Sequence, residues 1–108
     1  MVKKVDTMSP MKMSIGSIFA AYYGFGFEAY PKASRERLEE LVGPEHLRDS
    51  EKLIEEVVSE LGQLRPDWST QSLESVGDWV KVQMLATRPT LDGLSLDTLA
   101  WVFTWSNR

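Results

Sequence analysis

Residues 50–62 read Ser-Glu-Lys-Leu-Ile-Glu-Glu-Val-Val-Ser-Glu-Leu-Gly, and this stretch decides the fold class. Leu53, Ile54, Val57, Val58 and Leu61 recur at three- and four-residue intervals, which places them on one side of a helix. Glu51, Lys52, Glu55, Glu56, Ser59 and Glu60 take the other side. The spacing predicts a helix over 50–61, opened by Asp49 or Ser50 and ended by Gly62, with Leu64 packing back under it. A single apolar stripe of this kind must be buried against further elements.

Upstream, Ser34 caps a short helix predicted over 34–42, and Gly43-Pro44 reads as its stop signal. Ser9-Pro10 reads as N-cap and first position of a helix over 10–24. There Met11, Ile15, Ile18, Phe19 and Tyr22 fill one arc, and Gly16, Ser17, Ala20, Ala21 and Gly24 fill the opposite one. The small arc reads first as the outward face of an ordinary helix. Its second reading is a close-contact face for another helix, such as one from a second copy; small-residue spacing signals association mainly in membranes. Residues 25–33 form an aromatic loop.

Downstream, Arg65-Pro66-Asp67 is a connector. Ser69 or Thr70 is expected to cap a helix over 70–86, which ends before Arg88-Pro89. Asp92-Gly93 reads as a turn, and Ser95 as the cap of a last helix over 95–105. No run of alternating polar and apolar residues is long enough for a strand. The expectation is an all-α, single-domain bundle of four main helices plus one short helix. Residues 1–8 would be a flexible tail and 9–108 the helical domain.

Two helices carry more apolar surface than one stripe needs. In 70–86 the main stripe is Leu73, Val76, Gly77, Val80 and Met84, and a second holds Trp79, Val82 and Ala86. In 95–105, Leu96, Leu99, Ala100 and Phe103 form the core stripe, while Trp101 and Trp105 lie opposite with Val102 nearby. One core cannot easily cover both sides of so short a helix. Either the aromatics Tyr22, Tyr23, Phe25, Phe27 and Tyr30 cover the second face, which is the simpler packing, or another chain does. In the second case a homodimer follows, because a two-fold contact buries the same patch on both copies.

The net charge of −4 argues against nucleic-acid or anionic-membrane partners, which need a basic patch. Charge is unevenly spread: residues 36–60 carry nine acids against three bases, so this segment is −6 and the rest of the chain +2. The ridge Glu51, Glu55, Glu56 and Glu60 reads first as a solvated helix face. As a functional surface it would steer a basic partner. Residues 15–27 are too short and glycine-rich to span a bilayer, which takes ~20 apolar residues. Asp6 and Pro10 interrupt the signal-peptide pattern that Lys3, Lys4 and Lys12 suggest, so a cytoplasmic location is expected.

Catalytic equipment is sparse. With no cysteine, thiolate metal sites, disulfides and cysteine nucleophiles have no source in this chain. His46 is the only histidine; with Glu45 and Asp49 it offers fewer nitrogen donors than a catalytic zinc site generally takes. It reads as a surface histidine in a polar turn. No Gly-x-Ser-x-Gly elbow exists, and Gly24-Phe25-Gly26 is too short for a phosphate-cradling loop. No cofactor or metal is expected.

These residues point to a non-catalytic interaction or regulatory protein, such as a small inhibitor, an immunity-type protein or an adaptor. Its candidate partner or ligand surface is Tyr22, Phe27, Trp79, Trp101 and Trp105, with the acidic ridge as a second candidate. The alternative is a small-molecule binder with a cavity among Tyr22, Phe27, Trp79 and Trp101.

Overall fold

The computed structural model describes residues 14–107. Among them the secondary structure is entirely helical: α1 (Ile15–Tyr23), α2 (Arg35–Val42), α3 (Pro44–Leu61), α4 (Leu73–Thr87) and α5 (Gly93–Ser106). The all-α, one-core bundle expected from the periodicities is the observed fold. Phe19 of α1, Leu38 of α2, Ile54 and Val57 of α3, Val76, Val80 and Met84 of α4, and Leu99 and Phe103 of α5 meet in one core. Burying each such side chain contributes about 1.5–3 kcal/mol before chain entropy is counted.

Helix α5 occupies the centre, with contacts to α1, α3 and α4. That placement explains its two apolar faces: a helix apolar on most sides is one that its neighbours surround. Two short approaches fix the direction of α1 beside it. Gly16 lies against Asp92, Leu94 and Ser95 at the start of α5, and Phe25, just past α1, lies against Trp101. The two helices therefore run parallel. Helix α4 runs antiparallel to α5, with Lys81 paired to Asp97 at 2.9 Å and Gly77 facing Thr104.

Four helix starts differ from expectation. Ser14 is the N-cap of α1, its hydroxyl accepting from the Ser17 amide at 3.1 Å. The helix thus begins at Ile15 and not at residue 10. Ser9-Pro10 and Met11, like the tail 1–8, lie outside the described residues. Helix α3 starts six residues before the expected Ser50, because Gly43-Pro44 does two jobs. Gly43, at φ 85°, ends α2 and turns the chain, and Pro44 then opens α3 at a first-turn position where its missing N–H costs nothing. His46 consequently sits in the first turn of a helix. Ser50 is buried in the helix body.

The start of α4 also shifts, from 70 to 73. Asp67 accepts hydrogen bonds from the Ser69 amide and hydroxyl at 3.1 and 2.5 Å, which closes residues 67–70 into a separate turn. Ser72 is left to cap the helix through the Ser75 amide at 3.2 Å. In α5 the cap is Asp92 and not Ser95: the carboxylate accepts from the Ser95 amide at 2.9 Å. Ser95 is itself fully buried, its hydroxyl donating to the Asp92 carbonyl at 2.8 Å.

The small arc of α1 divides between its two readings. Gly16 is a close-contact residue, but the contact is within the chain: a Cβ there would stand 2.6 Å from Leu94 Cβ and 2.8 Å from the Ser95 nitrogen. Ser17, Ala20 and Ala21 face outward, along a surface groove.

Candidate partner-binding surfaces

The residues expected to form one aromatic surface are placed in separate environments. Tyr22 is half-buried and meets Tyr23 edge-on at 4.9 Å, and burial, with Tyr22 adding to it, pushes the Tyr23 phenol up to about 12. Trp79 is half-buried against the core. Trp101 is covered by Phe25, their ring centres 5.3 Å apart at 61°. Trp105 stacks on Tyr30 at 5.7 Å and keeps 39% of its surface exposed. The loop aromatics thus cover the second face of α5 by intramolecular packing. Phe27 is the most exposed large apolar residue among those described, at 66%.

The loop that delivers these aromatics is held by Arg37. Its guanidinium donates from Nε to the Ala21 carbonyl at 2.8 Å, to the Tyr22 and Lys32 carbonyls, and to Glu28 at 2.9 Å. It also lies 5.3 Å from the centre of the Phe27 ring. Gly24, at φ 81°, ends α1 in the left-handed conformation that sets the loop's direction.

Three of the four ridge glutamates are paired within the chain. Arg88 forks onto Glu60 at 2.8 and 2.9 Å and reaches Glu56 at 3.7 Å, tying the end of α4 to α3. This fork holds the Glu60 carboxyl below the usual carboxylate range. Glu51 accepts from Arg35 at 2.8 Å. Glu55 is exposed and makes no ion pair among the described residues. Much of the ridge therefore staples one helix to another. Among the described residues no three His, Asp or Glu side chains gather as a metal site, and His46 is half-buried.

Grooves open on the surface of the described residues, three of them beside aromatic side chains. One of about 460 Å3 runs beside α1 and α2, lined by Ala20, Ala21, Leu41 and Leu94, with Phe27, Arg37 and Glu40 around them. A second of about 460 Å3 lies between α3 and α5 beside Trp68, over Leu61, Leu64, Val102 and Phe103. The third, of about 550 Å3, lies between α4 and α5 against Phe25. Phe27 lines the first groove and Trp101 the third, while Tyr22 and Trp79 line none of them. The four residues expected around one cavity do not share any of these three.

Sequence reasoning missed the α4–α5 groove. Its walls are Glu74, Gly77, Asp78 and Lys81 of α4, and Asp97, Ala100, Trp101 and Thr104 of α5. Each set follows the same three-and-four spacing of a single helix face. That spacing is visible in either segment alone, but only antiparallel pairing makes the two faces one site.

Comparison with protein-family profiles, curated proteins and solved structures gave no match. No helix among the described residues is long and apolar enough to cross a membrane.

Proposed function

We propose that this chain is a non-catalytic, cytoplasmic interaction protein that presents an aromatic and acidic helical surface to a protein partner. Small inhibitors, immunity-type proteins and adaptors are the functional types that fit. One observation carries the reading: Phe27, Tyr30, Trp68 and Trp105 lie outside the core and, even with Tyr30 stacked on Trp105, stay 39–66% exposed. Aromatic side chains that stability does not bury are the usual anchors of an interface. The open form of the grooves supports a protein surface as the occupant more than an enclosed small molecule.

Affinity capture from the native host tests this, comparing wild type with Phe27→Ser and Trp105→Ser variants shown by circular dichroism to be folded. A partner retained by wild type and lost by either variant supports the reading. Equal capture by all three chains would sink it.

The small-molecule alternative draws its support from another place than expected, the apolar groove beside Trp68. A ligand bound there would change the emission of wild type and not of Trp68→Phe.

A further inference from the structure

We propose that the α4–α5 groove is the seat of an arginine-bearing basic segment of the partner, a proposal that rests on the protein-binding reading above. The groove has an apolar floor and wall, formed by Gly77, Ala100, Phe25 and Trp101. Its charged side chains are Glu74, Asp78, Asp97 and Lys81, a net of −2. Lys81 is committed to Asp97 at 2.9 Å. Glu74 and Asp78, one helical turn apart and both exposed, make no ion pair among the described residues. The ridge glutamates of α3 differ in this respect, since three of the four are matched by Arg35 and Arg88. Two carboxylates without a direct ion pair, Asp78 of them within electrostatic reach of Lys81, therefore stand beside an aromatic wall.

Gly77 is the second, independent observation. It sits within α4, where glycine costs about 0.5–1 kcal/mol relative to alanine. Such a cost is usually set by a close approach, as at Gly16. At Gly77 no such approach exists: an added Cβ would meet Thr104 Cγ2 at 3.6 Å, an ordinary contact. Packing does not require the glycine. What its missing side chain does is keep the floor of the groove open.

A guanidinium matches this shape and charge better than an ammonium does. It is planar, lies flat against an aromatic wall, and can fork between two carboxylates. The apolar stem of the arginine would cross Gly77 and Ala100 while its head reaches Glu74 and Asp78.

The test is an amide-resolved NMR titration of the full chain with a blocked Gly-Arg-Gly-Arg-Gly peptide. Lysine and glutamate versions of the peptide serve as comparisons. The expected result is a shift at the Gly77 and Asp78 amides and at the Trp101 indole N–H, strongest for the arginine peptide. Glu74→Gln/Asp78→Asn should weaken binding about tenfold, an effect that added salt reproduces. Gly77→Ala should raise the melting temperature by a few degrees, from helix propensity alone, and yet weaken the peptide.

Unchanged affinity in Gly77→Ala, shifts centred on Glu51–Glu60 of α3, or no shift at millimolar peptide would each overturn the proposal. If the peptide fails while wild type still captures a partner that Phe27→Ser loses, the groove assignment alone falls. If no partner depends on the exposed aromatics, the broader reading falls.

Discussion

Asp92 shows how much one side chain can organise. One carboxylate oxygen caps α5 through the Ser95 amide at 2.9 Å, and the other accepts from the Gly16 amide at 3.2 Å. Two helix N-termini, each rich in unpaired N–H groups, share one negative charge. Burial works to raise the Asp92 carboxyl, but the bonds from Ser95, Gly16 and Ser14 outweigh it and hold it below its ordinary value. The stabilisation is therefore full above the ordinary carboxylate value near ~3.9 and drains as pH falls below it. Asp92→Asn should lower the urea midpoint at pH 7, and the gap to wild type should shrink at pH 3. An equal gap at both pH values would rule the charge out as the cause. Gly16→Ala tests the same junction sterically. Its Cβ would press on Leu94 and on the Ser95 backbone, so a loss of about 1–3 kcal/mol is expected in chemical denaturation.

Helices here are joined by a few multiply bonded cations. Arg37 of α2 donates to the Ala21 and Tyr22 carbonyls at the end of α1, the second of which also accepts from the Ser34 amide, and to Glu28 of the loop. A lysine can supply the charge but not the fork, so Arg37→Lys should cost about 1–3 kcal/mol in chemical denaturation. Amide exchange over residues 24–33 should accelerate with it, since that loop hangs on the same guanidinium. Retained protection there would mean the aromatics alone hold the loop. The three-residue difference at the start of α4 has the same local character: Asp67 takes Ser69 into its own turn, and the cap passes to Ser72. Polar residues in a row offer several competent caps, and the hydrogen bonds outside the helix choose among them.

Across the whole molecule, the packing of Phe25 on Trp101 and Tyr30 on Trp105 removes much of the incentive to dimerise through α5. Sedimentation at high micromolar concentration should therefore give the mass of one chain, 12.3 kDa. A dimer that Trp105→Ser dissociates would show that the stack with Tyr30 is insufficient cover. The acidic character is likewise redistributed by folding. The segment that looks most acidic is partly matched by Arg35 and Arg88, while Glu74 and Asp78, from a less conspicuous stretch, stand beside an aromatic wall.

Helical identity and the main core stripes are determined by the sequence alone, because both depend on spacing along one segment. Ile54, Val57 and Leu61 of α3, Val76, Val80 and Met84 of α4, and Leu99 and Phe103 of α5 are buried as their periodicity requires, whereas Leu73, read into the same α4 stripe, opens that helix and stays 37% exposed. The end of α1 at Gly24 and the turn at Gly43 are also local, set by a backbone conformation that glycine adopts without a steric penalty. Which neighbour covers a second apolar face is not local. Trp101 and Trp105 are equally apolar in the chain, and only the loop tied down by Arg37 decides that Phe25 and Tyr30 lie over them. The α4–α5 groove is of the same kind, since Gly77 and Trp101 become one site through antiparallel pairing of two segments. Spacing within a helix sets which residues face together; tertiary packing sets what they face.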